Sequence, residues 1–351
     1  MTSTTQGADP TVVGPYLTKA LDDPRWTDCT VALISGGKSN LTYTVGSDAG
    51  SVVLRRPPLG NILPSAHDML REHTVMAALA GTAVPVPKMY AFCDDPELLG
   101  QRFYVMERID GLICRESLPA GYADTPDERR AVGERLVSVL ADLHQVDPAS
   151  VGLGEFGRPD GYLERQVRRW GKQWEATRVE GHEALDKLSS DLAASVPATR
   201  RSGIVHGDYR LDNTMLDPKT PGRVAAVLDW EMSTLGDPIA DLGLLLVYWR
   251  EAGDGGSARD GSTVVESATA LEGFPTRAEV AELYATRTGA DLSALPWAQA
   301  FGFYKLAVVV AGIVARVAGG SMVGSGFEGL GASIGPLTEL GRATLASGEL
   351  Q

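Results

Sequence analysis

The sequence changes its hydrophobic period once, near residue 111, and that change limits the architectures open to it. Before it, segments 31–35, 41–45 and 51–55 are short, rich in β-branched residues and separated by Gly, Ser, Asn and Asp turns, the pattern of half-buried strands. Residues 65–80 follow with helical spacing: Ser65 is placed to cap, and Met69, Leu70, His73, Met76 and Leu79 run along one side. Gly81 and a V-P-V-P run stop that helix, and 88–92 and 102–107 read as two more strands. Beyond residue 111 the spacing predicts helices over 128–145, 161–178, 183–194, 239–250, 276–288, 297–318 and 334–346. Two short apolar pieces, 203–205 and 223–228, interrupt them. The expected division is a small α+β unit over 1–110, with 1–10 disordered, and a helical unit over 111–351. The stretch EAGDGGSARDGS at 251–262 is expected to be a flexible loop.

Chain-wide sums narrow the function classes. With 351 residues, 44% hydrophobic and 22% charged, the chain has the balance of a globular protein. Its net charge of −13 disfavours a general nucleic-acid or anionic-membrane binder. Cys29, Cys93 and Cys114 share no metal or disulfide spacing, which points to the cytoplasm. The first ten residues lack signal-peptide regions. The most apolar run, 306–315 between Lys305 and Arg316, is expected to be a buried helix too short to span a bilayer. The expectation is a soluble protein with no nucleic-acid or membrane partner; the oligomeric state is left open.

The chemistry is carried by H-G-D-Y-R-L-D-N from His206 to Asn213, followed by V-L-D-W ending at Trp230. H-x-D-x-x-x-x-N with an Asp about twenty residues later on a short apolar strand is the set used in kinase-type phosphoryl transfer. ATP clusters negative charge, so transfer needs divalent metal on hard oxygen ligands, which Asn213 and Asp229 can supply as Mg²⁺ ligands. Asp208 would orient the acceptor hydroxyl and take its proton as the catalytic base. Asp237 before Pro238 suits a helix cap better than a metal site. His144, near a helix end, reads as structural, and His67, His73 and His182 have no metal-ligand partners at useful spacing.

On these residues the chain resembles the aminoglycoside phosphotransferase and choline kinase-like family of small-molecule kinases. Within it, the chain looks most like the kinase-like domain found upstream of acyl-CoA dehydrogenase modules in some longer proteins. The resemblance runs through G-G-K-S-N at 36–40, V-V-L-R-R-P-P at 52–58, S-A-H-D-M-L-R-E at 65–72, F-Y-V-M-E-R at 103–108, the HGD segment and G-D-P-I-A-D-L-G at 236–243. It implies a protein-kinase-like two-lobed α+β fold: a five-stranded antiparallel N-lobe with one helix, and a larger, mostly helical C-lobe.

It also implies roles for further residues. Gly37, Ser39 and Asn40 would cover the ATP phosphates. Arg55 stands where a Lys is usual, with Glu72 as its carboxylate and Val53 roofing the adenine from the same strand face. Arg56 competes for that role but should point the other way. Met106, Glu107 and Ile109 would form the adenine hinge, and His206 and Asp241 would brace the catalytic loop. ATP is the implied nucleotide, with GTP open.

The acceptor is a small hydroxyl-bearing molecule, and its identity is less legible. On 161–178, Leu163, Val167, Trp170 and Trp174 form one stripe, and Arg165, Arg168, Arg169 and Lys172 another. The basic stripe is either a solvated face or the border of a cleft for an anionic substrate. Arg165, Arg169 and Trp249 are the candidate substrate contacts. The expected activity is transfer to a hydroxyl, with a hydroxylated acyl metabolite suggested by the resemblance. The alternatives are a catalytically silent nucleotide- or metabolite-binding module and a true antibiotic kinase.

Overall fold

The computed structural model describes residues 6–34, 40–59, 68–254, 267–318 and 329–351. Contacts divide the chain into two compact units: Met1–Asp110 with Ala225–Ser233, and Gly111–Val224 with Thr234–Gln351. Segment 225–233, which the sequence pattern assigns to the helical unit, belongs to the first.

In the first unit, β1 (Thr30–Leu33), β2 (Leu41–Ser47), β3 (Gly50–Arg56), β4 (Met89–Cys93) and β5 (Phe103–Glu107) form one sheet of order β1-β2-β3-β5-β4. Every pairing is antiparallel, and Arg55 lies opposite Thr42 on one side and Tyr104 on the other. Alternation sends Tyr43, Val45, Val52 and Leu54 into one core.

A helix not foreseen from the sequence, α1 (Pro10–Leu21), closes that core with Val13 and Leu17. Gly14 and Pro15 read as breakers in isolation, yet Gly14 lets the backbone of Trp26 and Thr27 approach closely. The expected disorder of 1–10 fails from Gln6 onward. Ala8 is buried, Asp9 caps α1 through the Thr11 N–H, and the Gln6 carbonyl accepts from the Tyr43 hydroxyl at 2.7 Å. Residues 1–5 lie outside the described residues.

Helix α2 (Met69–Leu79) begins later than expected. Asp68 is its cap, accepting from the Arg71 N–H, in place of Ser65, which lies outside the described residues. A four-residue helix, α3 (Pro96–Leu99), precedes β5. The segment 225–233 joins this unit through the Val227 N–H, which donates to the Pro85 carbonyl at 2.8 Å, and the Ser233 carbonyl, which accepts from Arg71 Nε at 2.7 Å.

The second unit holds α4 (Pro126–Gln145), α5 (Tyr162–Ala176), α6 (Glu183–Ala194), α7 (Ile239–Tyr248), α8 (Arg277–Thr288), α9 (Leu295–Ala318) and α10 (Ile334–Ser347). Short strands β6 (Gly203–Val205), β7 (Thr214–Leu216) and β9 (Thr234–Gly236) carry the loops, while β8 (Val224–Val227) runs on into the first unit. A capping box at Thr125 and Glu128 starts α4, and another at Thr276 and Glu279 starts α8.

Helix α9 packs on α7 and α10. Contrary to the ten-residue reading, Leu295–Val317 is by length and composition apolar enough to cross a membrane, but most of its apolar window is buried in this protein. The expected flexible loop is ordered at its start: Ala252–Asp254 is a helical turn, with Arg277 paired to Asp254 at 2.9 Å. Residues 255–262 lie outside the described residues.

Candidate active site

Each unit builds part of the expected chemistry within itself. In the first, β3 presents Arg55 and α2 presents Glu72. Arg55 Nε lies 3.0 Å from Glu72 Oε2, and Nη2 lies 2.8 Å from Asp229 Oδ1. Glu72 also accepts from the Tyr104 hydroxyl at 2.8 Å and from Asn40 Nδ2 at 3.0 Å. The same Asn40 amide reaches Glu231 at 3.5 Å. Three carboxylates thus surround one guanidinium in a largely buried setting.

Burial alone would lower the pKa of Arg55, but Tyr104, Glu72, Asp229 and Glu231 raise it above its ordinary value, so it stays a fixed cation. Burial raises the Glu72 carboxyl against the pull of Arg55 and the Tyr104 hydrogen bond. Arg56 points the other way and is spent on the carbonyls of Gly7 and Leu99 at 2.5 and 2.8 Å.

Asp229 adopts φ 63°, the left-handed region that non-glycine residues rarely occupy. Among the described residues, its Oδ2 makes no protein bond.

The second unit builds the catalytic loop between β6 and β7. Gly207, at φ 84°, is the residue the bend requires, and its peptide is held from both ends. Its N–H donates to Asp241 Oδ1 at 2.8 Å, and its carbonyl accepts from Lys305 Nζ at 2.7 Å. Asp241, fully buried on α7, also accepts from the His206 N–H at 2.6 Å and lies 3.3 Å from His144 Nε2. Burial would raise the Asp241 carboxyl, but His144 and His206 together hold it below the ordinary carboxylate value.

Asp208 follows the clamp, and Asn213 Nδ2 donates to its Oδ2 at 2.9 Å and to its carbonyl at 2.8 Å. That fixes the Asp208 carboxylate and leaves Asn213 Oδ1 with no protein bond among the described residues. Arg210 lies 3.5 Å from Asp208 and 3.1 Å from Asp212, its guanidinium stacked on Tyr248.

Several expected contacts are placed differently. Asn40 spends its amide nitrogen on Glu72 and Glu231, away from a phosphate role. Gly37 and Ser39 lie outside the described residues, as does His67. Val53 and Met106 are buried register partners. Glu107 uses its N–H on the Lys88 carbonyl at 2.8 Å, whereas the Ile109 N–H has no partner among the described residues.

Trp249 is a core residue, its indole N–H donating to the Pro275 carbonyl at 2.7 Å and its ring edge-on to Phe274, which removes the direct substrate contact expected of it. Arg165 is bound to the carbonyls of Arg158 and Asp160 beside the start of α5, so its fork is committed locally. Arg168, Arg169 and Lys172 are exposed, with Leu163, Val167 and Trp174 buried opposite them. Asp237 accepts from the Ile239 N–H at 3.1 Å, the cap its position before Pro238 suggested.

Lys305 escaped the sequence reading. Its signal was a lone Lys inside an apolar helical run, and its ammonium lies over the Trp170 ring at 5.5 Å. Burial lowers its pKa against the opposing charges of Asp208 and Asp241.

With this geometry, the comparisons with known proteins define the class. The chain belongs to the phosphotransferase enzyme family, whose model matches residues 30–291. It is 37% identical over 290 residues to acyl-CoA dehydrogenase family member 11 of Rattus norvegicus, covering 82% of this chain and 36% of that protein. It is 35% identical over 307 residues to family member 10 of Mus musculus, covering 86% of this chain and 28% of that one. The chain therefore spans about a third of these curated relatives' length.

Among solved structures, one from Ralstonia eutropha that carries the aminoglycoside phosphotransferase name superposes with a TM-score of 0.81 at 34% identity, covering 97% of this chain and 98% of that one. An aminoglycoside phosphotransferase complexed with ADP and hygromycin B gives 0.61 at 15% identity, over 96% of this chain and 99% of that one. The fold is the protein-kinase-like α+β fold of the aminoglycoside phosphotransferases.

Proposed function

We propose that this chain transfers the γ-phosphoryl group of ATP to a hydroxyl of a small molecule, with Asp208 as the base. The observation that carries the reading is the Asp208 carboxylate, fixed by Asn213 in a loop whose Gly207 peptide is clamped at both ends. So held, Asp208 can accept the acceptor's proton as the new O–P bond forms, without spending the reaction's free energy on its own orientation.

Asn213 and Asp229 suit Mg²⁺ as hard oxygen donors, since each retains one oxygen with no protein bond among the described residues. A metal held by either group would neutralise phosphate charge. Arg55 would contact the phosphates, oriented by Glu72 at 3.0 Å. Its fork offers several fixed donors to phosphate oxygens where a Lys offers a point charge.

A silent nucleotide-binding module is the second reading, motivated by Arg55 in the position of the usual Lys. The Arg55–Glu72 pair weighs against it, because a cation and its orienting carboxylate are both retained. The acyl-CoA dehydrogenase names of the longer relatives favour a hydroxylated acyl acceptor. The exposed cations of α5 disfavour a polycationic antibiotic.

ADP release across a panel of alcohols, with phosphorylated product confirmed by mass, tests the reading. Asp229→Ala is expected to abolish metal-dependent nucleotide binding. Asp208→Ala is expected to spare binding and lose transfer by several orders of magnitude. Equal loss of binding in both would contradict the division of roles.

A further inference from the structure

The helical unit holds a second concavity that the site above does not use. A cavity of about 350 Å³ is lined by Arg201, Asp237, Pro238, Ile239, Tyr284 and Ala290, together with the pair Arg200 and Asp291. Its volume falls at the lower end of small-molecule pockets, roughly 300–1,000 Å³.

Two of its four charges answer each other. Arg200 pairs with Asp291. Asp237 accepts from the Ile239 N–H at the start of α7, and burial raises its pKa against that hydrogen bond. Arg201 is half-buried, and among the described residues its guanidinium has only a 3.4 Å bond to the Thr288 carbonyl and no carboxylate in ion-pair range. Ile239, Pro238, Ala290 and the Tyr284 ring supply apolar wall. One unmatched planar cation beside an apolar wall suits a carboxylate carried on a small apolar body.

The cavity is also one hydrogen bond from the brace of the catalytic loop. The Tyr284 hydroxyl lies 2.7 Å from His144 Nδ1, and His144 Nε2 lies 3.3 Å from Asp241 Oδ2. Asp241 in turn holds the N–H groups of His206 and Gly207. Since the Asp241 carboxylate only accepts, the network assigns a proton to His144 Nε2, and in the neutral imidazole Nδ1 then accepts from Tyr284. The intermediate groups are buried, so the chain of bonds is shielded from water.

We propose that this cavity is an effector site for a small carboxylate with an apolar body, whose binding is felt at the catalytic loop through Tyr284, His144 and Asp241. A carboxylate on Arg201 competes for the Tyr284 hydroxyl proton, and His144 Nδ1 then loses its donor. The effect propagates because the occupant contacts the two states of Tyr284 differently. The effect on turnover rests on the phosphotransferase reading; the binding and the change at His144 do not.

The test titrates the full chain, labelled with ¹⁵N-histidine and free of nucleotide, with sodium benzoate and sodium hexanoate, using benzamide as the neutral isostere. His144→Gln assigns the resonance. A saturable shift of the His144 ring nitrogens with the carboxylates and none with benzamide is expected. Arg201→Gln, with native circular dichroism, should weaken the apparent affinity by about tenfold or more, the usual share of one charge-assisted contact. Arg201→Lys should recover part of it.

No saturable response to either carboxylate, or a response unchanged in Arg201→Gln, overturns the site. Binding that leaves His144 unmoved overturns the coupling. If ATP turnover that depends on Asp208 is present yet indifferent to saturating benzoate, the regulatory role falls. If no such turnover exists, the phosphotransferase reading fails by itself, and His144 alone decides the coupling.

Discussion

Asp241→Asn is the substitution whose outcome the geometry fixes most tightly. The carboxylate accepts the His206 N–H at 2.6 Å through Oδ2 and the Gly207 N–H at 2.8 Å through Oδ1, buried almost completely from water. An amide has one acceptor and one donor end, so whichever way it turns, one of those N–H groups faces an NH₂. Orphaning a buried donor costs about 1–3 kcal/mol, and removing the charge from the surviving bond costs about 1 kcal/mol more. The expected loss is about 2–4 kcal/mol, a large share of the roughly 5–15 kcal/mol typical of a folded domain.

Urea unfolding of wild type and variant, with amide exchange at Gly207 as a local probe, measures it. Folding lowers the Asp241 pKa. Its contribution is therefore complete above the unfolded carboxylate value, about 4, and is lost as pH falls through the lower folded value. The gap between wild type and variant should narrow on acidification. A difference under about 0.5 kcal/mol with unchanged Gly207 protection, or a gap that widens in acid, would show that Asp241 does not brace the loop.

Two further outcomes follow from neighbouring contacts. Lys305→Met removes a buried ammonium along with the Gly207 carbonyl bond, so the two effects offset and stability should change by only about 1 kcal/mol while turnover falls. Because folding lowers the Lys305 pKa, the unfolded chain binds more protons there, and wild type should gain on the Met variant as pH rises toward the ordinary lysine value; a falling difference refutes this. Gly243→Ala would drive a methyl to within 2.5 Å of the Ala298 backbone where α7 crosses α9, and thermal unfolding should register a loss of about 1–3 kcal/mol or more.

Much of this was readable from the chain because it is local. The change of period set the strand and helix order, and 183–194 matches α6 residue for residue. The His206–Asn213 and Val227–Trp230 segments carry their chemistry in fixed spacing, which is why Asp208, Asn213 and Asp229 stood out before any fold was known. The alternation of β3 likewise separated Arg55 from Arg56.

What escaped depended on partners distant in sequence. Gly14 and Pro15 look like breakers until the burial of Val13 and Leu17 outweighs their propensity. Trp249 and Lys305 look like a substrate platform and the edge of an apolar run until packing makes one a core residue and the other a clamp. The sequence alone determined the order of the five sheet strands and of the helices from α4 onward, and the types of reacting group, since these follow from neighbours a few residues apart; α1 and α3 were not legible there. Only the tertiary structure decided which carboxylates surround Arg55, which groups hold Gly207 and that Arg201, among the described residues, has no carboxylate in ion-pair range. Those pairings join residues tens to more than a hundred positions apart, and burial, which no local pattern encodes, sets their strength.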